Sequence, residues 1–385
     1  MSGALRTGFT GYYGMDNFGD DLFGAICSNA ARRYWNADPL LIGPPIAGVD
    51  ARFTVRGSTS SSHYGGLGLR GKSARLLSFT RGLAGSDVLV MGGGSVISAR
   101  RSFRAPLMLL GRRCRNLKLA AVGVSIAPFN DAEGERAIGE QLRHFDYISV
   151  RDLRSHELAS QLGVGCNLHR GRDLAGMLPL LDVRAHTVSR PRPAPLRLGI
   201  APCNYSDTGE YPAPARARWE AALVGAVSRL AAGQELQVEV FSLNEHPHLG
   251  DGAIAADLHQ KLLANGVDST HWRYTGRGPL DAVRAIGRCD AMISARLHGA
   301  IVAYMQGIPF AIIDYHRKCR DFASDIGLLG PRLVGADACD QEAMDQVLRS
   351  LQDTMQRPAL SHEVYADQAS DIFKCAPWST SGRAA

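Results

Sequence analysis

Short runs of apolar residues recur along the chain, and stretches with helical periodicity separate them. This alternation is typical of a parallel sheet whose strands are joined by helices. The runs predict two series of strands: first Leu5–Phe9, Asp87–Met91, Leu117–Val124 and Tyr147–Val150, then Leu196–Ala201, Leu236–Leu243, Ala291–Ser294 and Phe310–Asp314. The pattern therefore predicts an α/β protein with two doubly wound sheets.

A proline-rich stretch separates the two series. Val183–Pro195 contains three prolines with arginines between them, and such a stretch holds neither a regular helix nor a central strand. We interpret residues 184–195 as a linker between an N-terminal domain, residues 1–183, and a C-terminal domain, residues 196–385. An alternative for the last helix of the second domain is that it packs back on the N-terminal domain. A length of 385 residues suits two such domains.

Helices are predicted through Leu22–Tyr34 and through Trp219–Ala232, and Gly233 ends the second of them. The stretch Gly43–Gly82 differs, because it contains a Ser-Thr-Ser-Ser-Ser run and several glycines and prolines. This composition predicts a loop-rich, mobile region near a ligand-binding cleft.

Composition narrows the class of protein. Hydrophobic residues make up 45% of the chain and charged residues 21%, which excludes disordered and fibrous classes. A net charge of +6 is too small for a nucleic-acid binder but is compatible with an anionic small substrate. The eight cysteines are scattered without zinc spacing, so we expect reduced thiols and no metal. Neither a membrane span nor a secretory signal is visible, which predicts a cytoplasmic protein.

The first candidate ligand loop follows the first predicted strand and reads Gly11-Tyr-Tyr-Gly14-Met-Asp-Asn17-Phe-Gly19-Asp20-Asp21. Its glycines allow sharp turns and close approach to a ligand, and the helix after it offers N–H groups at its N-terminus. The spacing fits neither a P-loop nor a dinucleotide fingerprint. Asn17 and Asp20 are candidate ligand residues; the alternative is that they form only a turn and a helix cap.

Two further strand ends in the first domain carry candidates. The triplet Gly92–Gly94 and Ser95 stand where a strand closes, which is where open α/β sheets bind ligands, although a plain tight turn would look the same. Arg151 and Asp152 end the strand Tyr147–Val150. Arg151 either reaches the ligand or pairs with Asp152 or another acid nearby.

The most specific motif is Ser294-Ala-Arg296-Leu297-His298-Gly299, between a predicted strand and a helix of small residues. Arg296 and His298 would stand at the helix N-terminus, where the helix dipole, the N–H groups and the guanidinium favour the same anion. Lys318 follows the next strand. A lone histidine here would more often be structural, but these three residues together predict a phosphate site.

A basic segment, residues 100–118, surrounds the apolar stretch Ala105–Leu110 and contains no acidic residue; its cations are Arg100, Arg101, Arg104, Arg112, Arg113, Arg115 and Lys118. Such a segment could rest peripherally on an anionic membrane surface. The alternative is a solvated basic face beside a buried helix.

Taken together, the motifs resemble the polysaccharide pyruvyltransferases, which ketalate sugars with pyruvate drawn from phosphoenolpyruvate. The resemblance rests on Gly14–Asp20, Gly92–Gly94, Val150–Asp152, Ser294–Gly299 with Gly307–Pro309, and Lys318, in the family's order. It implies a GT-B-like fold of two Rossmann-like domains facing a cleft. It also implies a transferase that uses phosphoenolpyruvate as co-substrate and needs no cofactor.

The resemblance implies that Arg296, Leu297 and His298 contact phosphoenolpyruvate and that the Asn17–Asp20 loop faces the cleft from the other domain. Because this donor carries a phosphate and a carboxylate, we expect Lys318 and Arg151 to add positive charge. His298 is the expected acid and Asp20 the expected base. The acceptor side is expected to include Asn17, Gly93, Gly94 and Ser95.

The expected acceptor is a saccharide in a glycan or glycolipid precursor, either lipid-linked or polymeric, for exopolysaccharide or cell wall synthesis. One rival function is a GT-B glycosyltransferase that uses a nucleotide sugar, for which Glu245 is the evident candidate for the ribose-binding carboxylate. Another rival is a non-catalytic anion or sugar sensor. Loss of Arg296 or His298 would favour the sensor, and both are present.

Overall fold

The computed structural model describes residues 4–56, 61–66, 68–97, 103–126, 132–164, 167–183, 195–204, 213–246, 249–353 and 356–380. The chain forms two compact units. Unit 1 comprises residues 1–183 and 365–385, and unit 2 comprises residues 184–364. The C-terminal residues 365–385, which the sequence analysis assigned to the second domain, thus belong to unit 1.

Unit 1 is built on a seven-stranded parallel sheet in the order β3-β2-β1-β4-β5-β6-β7. Its strands are β1 (Leu5–Thr10), β2 (Ala37–Ile42), β3 (Arg52–Phe53), β4 (Val88–Ile97), β5 (Lys118–Ile126), β6 (Tyr147–Val150) and β7 (Leu168–Arg170). Its helices up to this point are α1 (Phe18–Trp35), α2 (Ser61–Gly65), α3 (Leu69–Ala84), α4 (Arg104–Arg115), α5 (Ala132–Leu142) and α6 (Leu153–Gln161). The strand order reverses between β1 and β4.

Unit 2 repeats this plan with a six-stranded parallel sheet in the order β10-β9-β8-β11-β12-β13. Its strands are β8 (Leu196–Ala201), β9 (Leu236–Ser242), β10 (Asp268–Arg273), β11 (Ala291–Ser294), β12 (Phe310–Asp314) and β13 (Leu333–Gly335). Its helices are α7 (Ala213–Gly233), α8 (Gly252–Ala264), α9 (Pro279–Ile286), α10 (Leu297–Met305), α11 (Arg317–Ile326) and α12 (Gln341–Gln352). Here the order reverses between β8 and β11, so both units have the Rossmann arrangement.

The strands that the sequence predicted are all present, and they form the buried middle of the two sheets. Central strands of a parallel sheet are covered on both faces and therefore read as continuous apolar runs, as β12 does with five buried residues. The sequence missed the strands nearer the sheet edges, β2, β3, β7, β10 and β13. Three of them, β3, β7 and β13, are only two or three residues long, β10 reads Asp-Ser-Thr-His-Trp-Arg, and β2 contains Pro39.

The predicted loop region Gly43–Gly82 is wrong for its second half, which forms α2 and most of α3. Glycine there serves close packing inside a helix. A Cβ at Gly71 would collide with the carbonyl oxygen of Gly66, so the chain can approach this closely only with glycine at position 71. Among the described residues, no helix is long and apolar enough to cross a bilayer.

The last helix, α13 (His362–Lys374), is anchored in the core of unit 1. The indole Nε1 of Trp35 donates a hydrogen bond to the Phe373 carbonyl at 2.8 Å, and the Tyr147 hydroxyl donates one to the Ile372 carbonyl at 2.7 Å. The rings of Trp35 and Phe373 pack with centroids 4.7 Å apart. Unit 1 is therefore completed by residues far along the chain from its sheet.

Tyr147→Phe is expected to lower the stability of unit 1 by about 1–2 kcal/mol, because the buried carbonyl of Ile372 loses its donor. Hydrogen exchange should show faster exchange along α13. Tyr34→Phe is the matched control, since the ring of Tyr34 also contacts Phe373 and its hydroxyl has no hydrogen bond among the described residues. Unchanged protection of α13 in Tyr147→Phe would contradict the anchoring role.

Candidate functional site

The strand ends of unit 2 carry a group of polar side chains at the point where the strand order reverses. Cys203 follows β8, Arg296 follows β11, and Tyr315 and Lys318 follow β12. In open α/β sheets, ligands bind outside the carboxyl ends of the strands at this switch point. The three predicted cationic residues of the second domain, Arg296, His298 and Lys318, are therefore on neighbouring strand ends of one sheet edge.

Arg296 is held by a carboxylate that the sequence analysis missed. Its Nε and Nη2 donate to the two oxygens of Asp251 at 2.7 and 2.5 Å. Asp251, which precedes α8, is fully buried and also accepts a hydrogen bond from the Asn204 backbone at 2.9 Å. The pair fixes the guanidinium plane and leaves its Nη1 side for another acceptor. The only signal in the sequence was the Gly250-Asp251-Gly252 run after β9.

Cys203 and Tyr315 form the neutral part of this edge. The Tyr315 hydroxyl and the Cys203 thiol are close enough to influence each other's pKa, and both side chains are buried. Burial raises the pKa of the Cys203 thiol, and the nearby charges of Arg296 and Lys318 oppose that rise only in part. The thiol is therefore neutral at neutral pH, where it is a weak nucleophile.

Lys318 shares this neighbourhood with Arg296. Its ammonium lies 5.3 Å from the centroid of the Tyr315 ring, within cation–π range. His316 caps α11 by accepting a hydrogen bond from the Lys318 backbone on Nδ1 at 3.2 Å, which orients the first turn of the helix. The structure thus places both cations, Arg296 and Lys318, around Cys203 and Tyr315.

Leu297 and His298 form the first turn of α10. Leu297 is 4% exposed, so its side chain packs in the interior and only its backbone could face a ligand. His298 is half-buried at the second position of the helix. The Ser294 hydroxyl donates to the Arg296 carbonyl at 2.6 Å, and a Cβ at Gly299 would lie 2.5 Å from that hydroxyl oxygen. Small residues are therefore required for this tight passage from strand to helix.

In unit 1 the structure groups most of the predicted acceptor residues in the loop after β1 and in the second half of β4. The Asn17 amide donates to Asp20 at 2.7 Å, and Asp20 lies 3.7 Å from the position of a Cβ on Gly94. Asn17 precedes α1 but makes no side-chain cap hydrogen bond. The neighbouring Asp21 instead stabilises the loop by accepting from the Gly14 backbone at 2.6 Å.

The glycines after Met91 are needed because of their backbone conformation and because a larger side chain would not fit. Gly93 and Gly94 have φ angles of +77° and +81°, and a Cβ on Gly93 would lie 2.5 Å from the Phe23 ring. The Tyr13 hydroxyl donates to the Gly92 carbonyl at 2.7 Å, and Gly92–Ser95 lie inside β4, which runs on to Ile97 instead of closing at Met91 as the sequence predicted. The triplet is therefore more than a plain tight turn, because it lets β4 approach α1 closely.

Two arginines that the sequence analysis did not connect with this edge also lie close to it. Burial raises the pKa of Tyr12, and Asp20 adds to the rise while Arg75 opposes it, which places Tyr12 near both charges. Burial lowers the pKa of Arg104, with Tyr64, Tyr13 and Arg75 among its neighbours. Arg75 comes from α3, inside the segment predicted as a loop, and Arg104 comes from α4, inside the basic segment 100–118.

Arg151 does not stand as an unpaired cation for the donor. Its side chain is 7% exposed and lies in unit 1, where Nη1 donates to Asp173 at 2.8 Å and Nε donates to Ser125 at 2.6 Å. Its remaining Nη2 reaches Ser95 at 3.4 Å. Asp152, the other expected partner, caps α6 by accepting from the Ser155 backbone. The geometry shows Arg151 in an ion pair with Asp173 rather than with Asp152.

Glu245, the carboxylate on which the glycosyltransferase alternative depends, is also engaged. Arg273 donates to its two oxygens at 3.2 and 2.6 Å, and its side chain is 5% exposed. Burial alone would raise the pKa of Glu245, but the hydrogen bonds from the Arg273 guanidinium lower it. Glu245 is thus a charged group with its partner supplied by the protein.

The fold defines the class of protein: two Rossmann-like units of the GT-B-like kind. Solved structures of similar fold include S. aureus MnaA with UDP, at 11% identity and a TM-score of 0.57, covering 97% of this chain and 92% of that one. The UDP-N-acetylglucosamine 2-epimerase of Rickettsia bellii matches at 10% identity and a TM-score of 0.58, covering 96% and 95%. The UDP-GlcNAc 2-epimerase of Neisseria meningitidis, bound to UDP-GlcNAc, matches at 9% and 0.55, covering 96% and 97%.

The sequence narrows this class to one family. The chain belongs to the polysaccharide pyruvyl transferase family, whose model matches residues 17–317. The match begins at Asn17, includes Arg296 and His298, and ends one residue before Lys318. No curated protein matches the chain.

Proposed function

We propose that the protein transfers pyruvate from phosphoenolpyruvate to two hydroxyls of a sugar in a glycan or glycolipid precursor, forming a cyclic ketal. The observation that carries the donor assignment is the arrangement around Arg296. A buried carboxylate orients this guanidinium at the start of α10, and Lys318 lies on the next strand end. A fixed pair of cations beside neutral polar groups suits a small ligand with two anionic groups.

The proposed chemistry begins with protonation of C3 of the enol by His298, which turns the methylene into a methyl group and leaves C2 electron-poor. A sugar hydroxyl then attacks C2 and gives its proton to a base, for which we propose Asp20. The C2–O bond to phosphate breaks, and phosphate leaves with the electron pair. A second hydroxyl of the same sugar attacks C2 and closes the ketal. Of the two hydroxyl protons, one restores the acid and one leaves with phosphate.

We propose that the donor is bound by Arg296, the first turn of α10 and Lys318. The acceptor is assigned to Asn17, Asp20, Gly93, Gly94 and Ser95 in unit 1, which lie close together after β1 and in the second half of β4. Leu297 contributes through its backbone alone, because its side chain is buried. Arg151 is assigned to the support of Ser95 rather than to direct contact with phosphoenolpyruvate.

Release of inorganic phosphate from phosphoenolpyruvate tests the function. Candidate sugars with two neighbouring free hydroxyls would be added in turn, and the product would be analysed by mass spectrometry for an added pyruvate ketal. We expect phosphate release that depends on the acceptor. Transfer from a nucleotide sugar would identify a glycosyltransferase instead. Binding of donor and sugar without turnover under any condition would identify a sensor.

Phosphoenolpyruvate is expected to bind without a divalent metal. The proposed donor edge supplies its positive charge from arginine and lysine, and the described residues contain no group of three metal-ligating side chains. Calorimetry in the presence of a chelator measures this directly. Binding that disappears in chelator and returns with magnesium would contradict the expectation.

A further inference from the structure

Five large apolar side chains are exposed on one part of unit 1. They lie on α3 and at or just before α4, and their exposed fractions are 81% for Leu69, 42% for Leu76, 51% for Leu77, 38% for Phe103 and 56% for Leu110. The two helices are neighbours, since Phe79 of α3 packs edge-on against Phe103 with ring centroids 5.8 Å apart. These side chains therefore stand on two neighbouring helices, whose outer surface we call the α3–α4 face.

The α3–α4 face lies in the most basic part of the chain. Residues 51–130 contain thirteen lysines and arginines and one acidic residue, Asp87, whereas the whole chain has a net charge of only +6. The rest of the chain is therefore net acidic. Asp87 directly precedes β4, and the guanidinium of Arg6 in β1 binds its carboxylate. Exposed cations accompany the apolar side chains on both helices: Arg70, Lys72, Arg81, Arg113 and Arg115.

We propose that the α3–α4 face docks on an anionic lipid bilayer. Leucine and phenylalanine side chains enter the headgroup region, and the cations around them are attracted to anionic lipids. Charge favours this occupant over a second copy of the chain, because self-association would place two faces of the same strong charge against each other. Nucleic acid would match the charge but would leave the leucines without an apolar contact.

The position of the face connects it with the proposed acceptor edge. Arg75 of α3 and Arg104 of α4 lie near Tyr12, Tyr13 and Asp20. An acceptor whose lipid anchor stays in the bilayer would thus meet the strand ends of unit 1 close to the membrane surface. This extension to a lipid-linked acceptor rests on the proposed function, whereas docking on the bilayer does not.

Vesicle sedimentation of the full chain tests the proposal. Vesicles of phosphatidylcholine alone are compared with vesicles of equal parts phosphatidylcholine and phosphatidylglycerol, at low and high salt. We expect binding to the anionic vesicles that weakens with salt. Leu69→Ser combined with Leu77→Ser, and separately Arg113→Glu, should each lower the apparent affinity for anionic vesicles by about tenfold or more.

Matched controls come from unit 2. Leu329 is 81% exposed and Leu263 is 43% exposed, so Leu329→Ser with Leu263→Ser removes similar apolar surface away from the face. Arg349→Glu on α12 makes the same charge change as Arg113→Glu. These variants should bind anionic vesicles like the wild type. An equal loss in the controls, or equal binding to both kinds of vesicle, would overturn the proposal.

Two further outcomes would also overturn it. Wild-type protein that ignores anionic vesicles but self-associates in sedimentation velocity, with self-association lost in the leucine variant, would identify a protein interface. Tight binding of an oligonucleotide without vesicle binding would identify a nucleic-acid surface. Phosphate release with a soluble sugar acceptor reports the proposed reaction separately, and all the surface variants should retain it, so failure of one proposal is distinguishable from failure of the other.

Discussion

Asp251→Ala is expected to lower the free energy of unfolding of unit 2 by about 3–5 kcal/mol, because it leaves the Arg296 guanidinium without its counter-charge. The side chain of Asp251 is 0% exposed and that of Arg296 is 18% exposed, so water can solvate the unpaired Arg296 charge only poorly. The Asn204 backbone N–H also loses its acceptor. Asp251→Asn keeps the size and one acceptor oxygen, and it should lose less.

Asp257→Ala on the same helix is the matched control. Its side chain is 59% exposed and pairs with Lys261 at the surface, where an ion pair contributes at most about 1 kcal/mol. Because the two units need not unfold together, hydrogen exchange of unit 2 peptides should accompany urea unfolding. Equal losses in Asp251→Ala and Asp257→Ala would show that the buried pair has no special role.

Arg296→Ala is expected to weaken phosphoenolpyruvate binding by about 2–4 kcal/mol, roughly 30- to 1000-fold, because a buried phosphate loses a charge-assisted partner. The same change leaves the buried Asp251 carboxylate without a counter-charge. The double variant Arg296→Ala with Asp251→Ala removes both charges and separates loss of the ligand from loss of folding. Arg296→Lys keeps the charge but cannot pair through the same planar fork, and we expect intermediate affinity.

His298→Ala should behave differently from Arg296→Ala if His298 is the acid. Turnover should fall by about a hundredfold or more while donor affinity changes little. Calorimetry with phosphoenolpyruvate and phosphate release at saturating donor measure the two quantities. Arg284→Ala serves as control, because its side chain is 68% exposed and its ion-pair partner among the described residues is the nearby Asp281. Near-wild-type turnover of both site variants at saturating donor would mean that the site has been misplaced.

The central strands were predictable because burial on both faces of a sheet selects uninterrupted apolar runs. The strands Tyr147–Val150, Leu196–Ala201, Ala291–Ser294 and Phe310–Asp314 have the bounds that the sequence indicates. Outer strands such as β10 carry polar residues on positions open to water, and their pattern is not distinct from that of a loop. The loop prediction for Gly43–Gly82 was partly wrong because of its glycines. In the sequence, a glycine that permits close packing inside a helix cannot be distinguished from one that permits a turn.

The candidate site was predictable wherever its chemistry lies in one continuous segment. The Arg296-Leu297-His298 run and the Asn17–Asp20 loop each combine a strand end with a helix start, so spacing alone placed them at ligand-binding edges. Arg151 shows the limit of such reasoning. The sequence left it between a ligand and a nearby acid, and only the fold shows Asp173, 22 residues further on, within hydrogen-bonding distance.

The sequence by itself determined the α/β class, the central strands, the family and the place of the Arg-Leu-His segment between a strand and a helix, because each follows from local patterns of burial and from side chains close together in the chain. The tertiary structure alone decided which side chains are partners. Asp251 is 45 residues from Arg296, and Phe373 is 338 residues from Trp35. Such pairs form because the order of strands in a sheet differs from their order in the chain, and the spacing of residues along the chain does not encode that order.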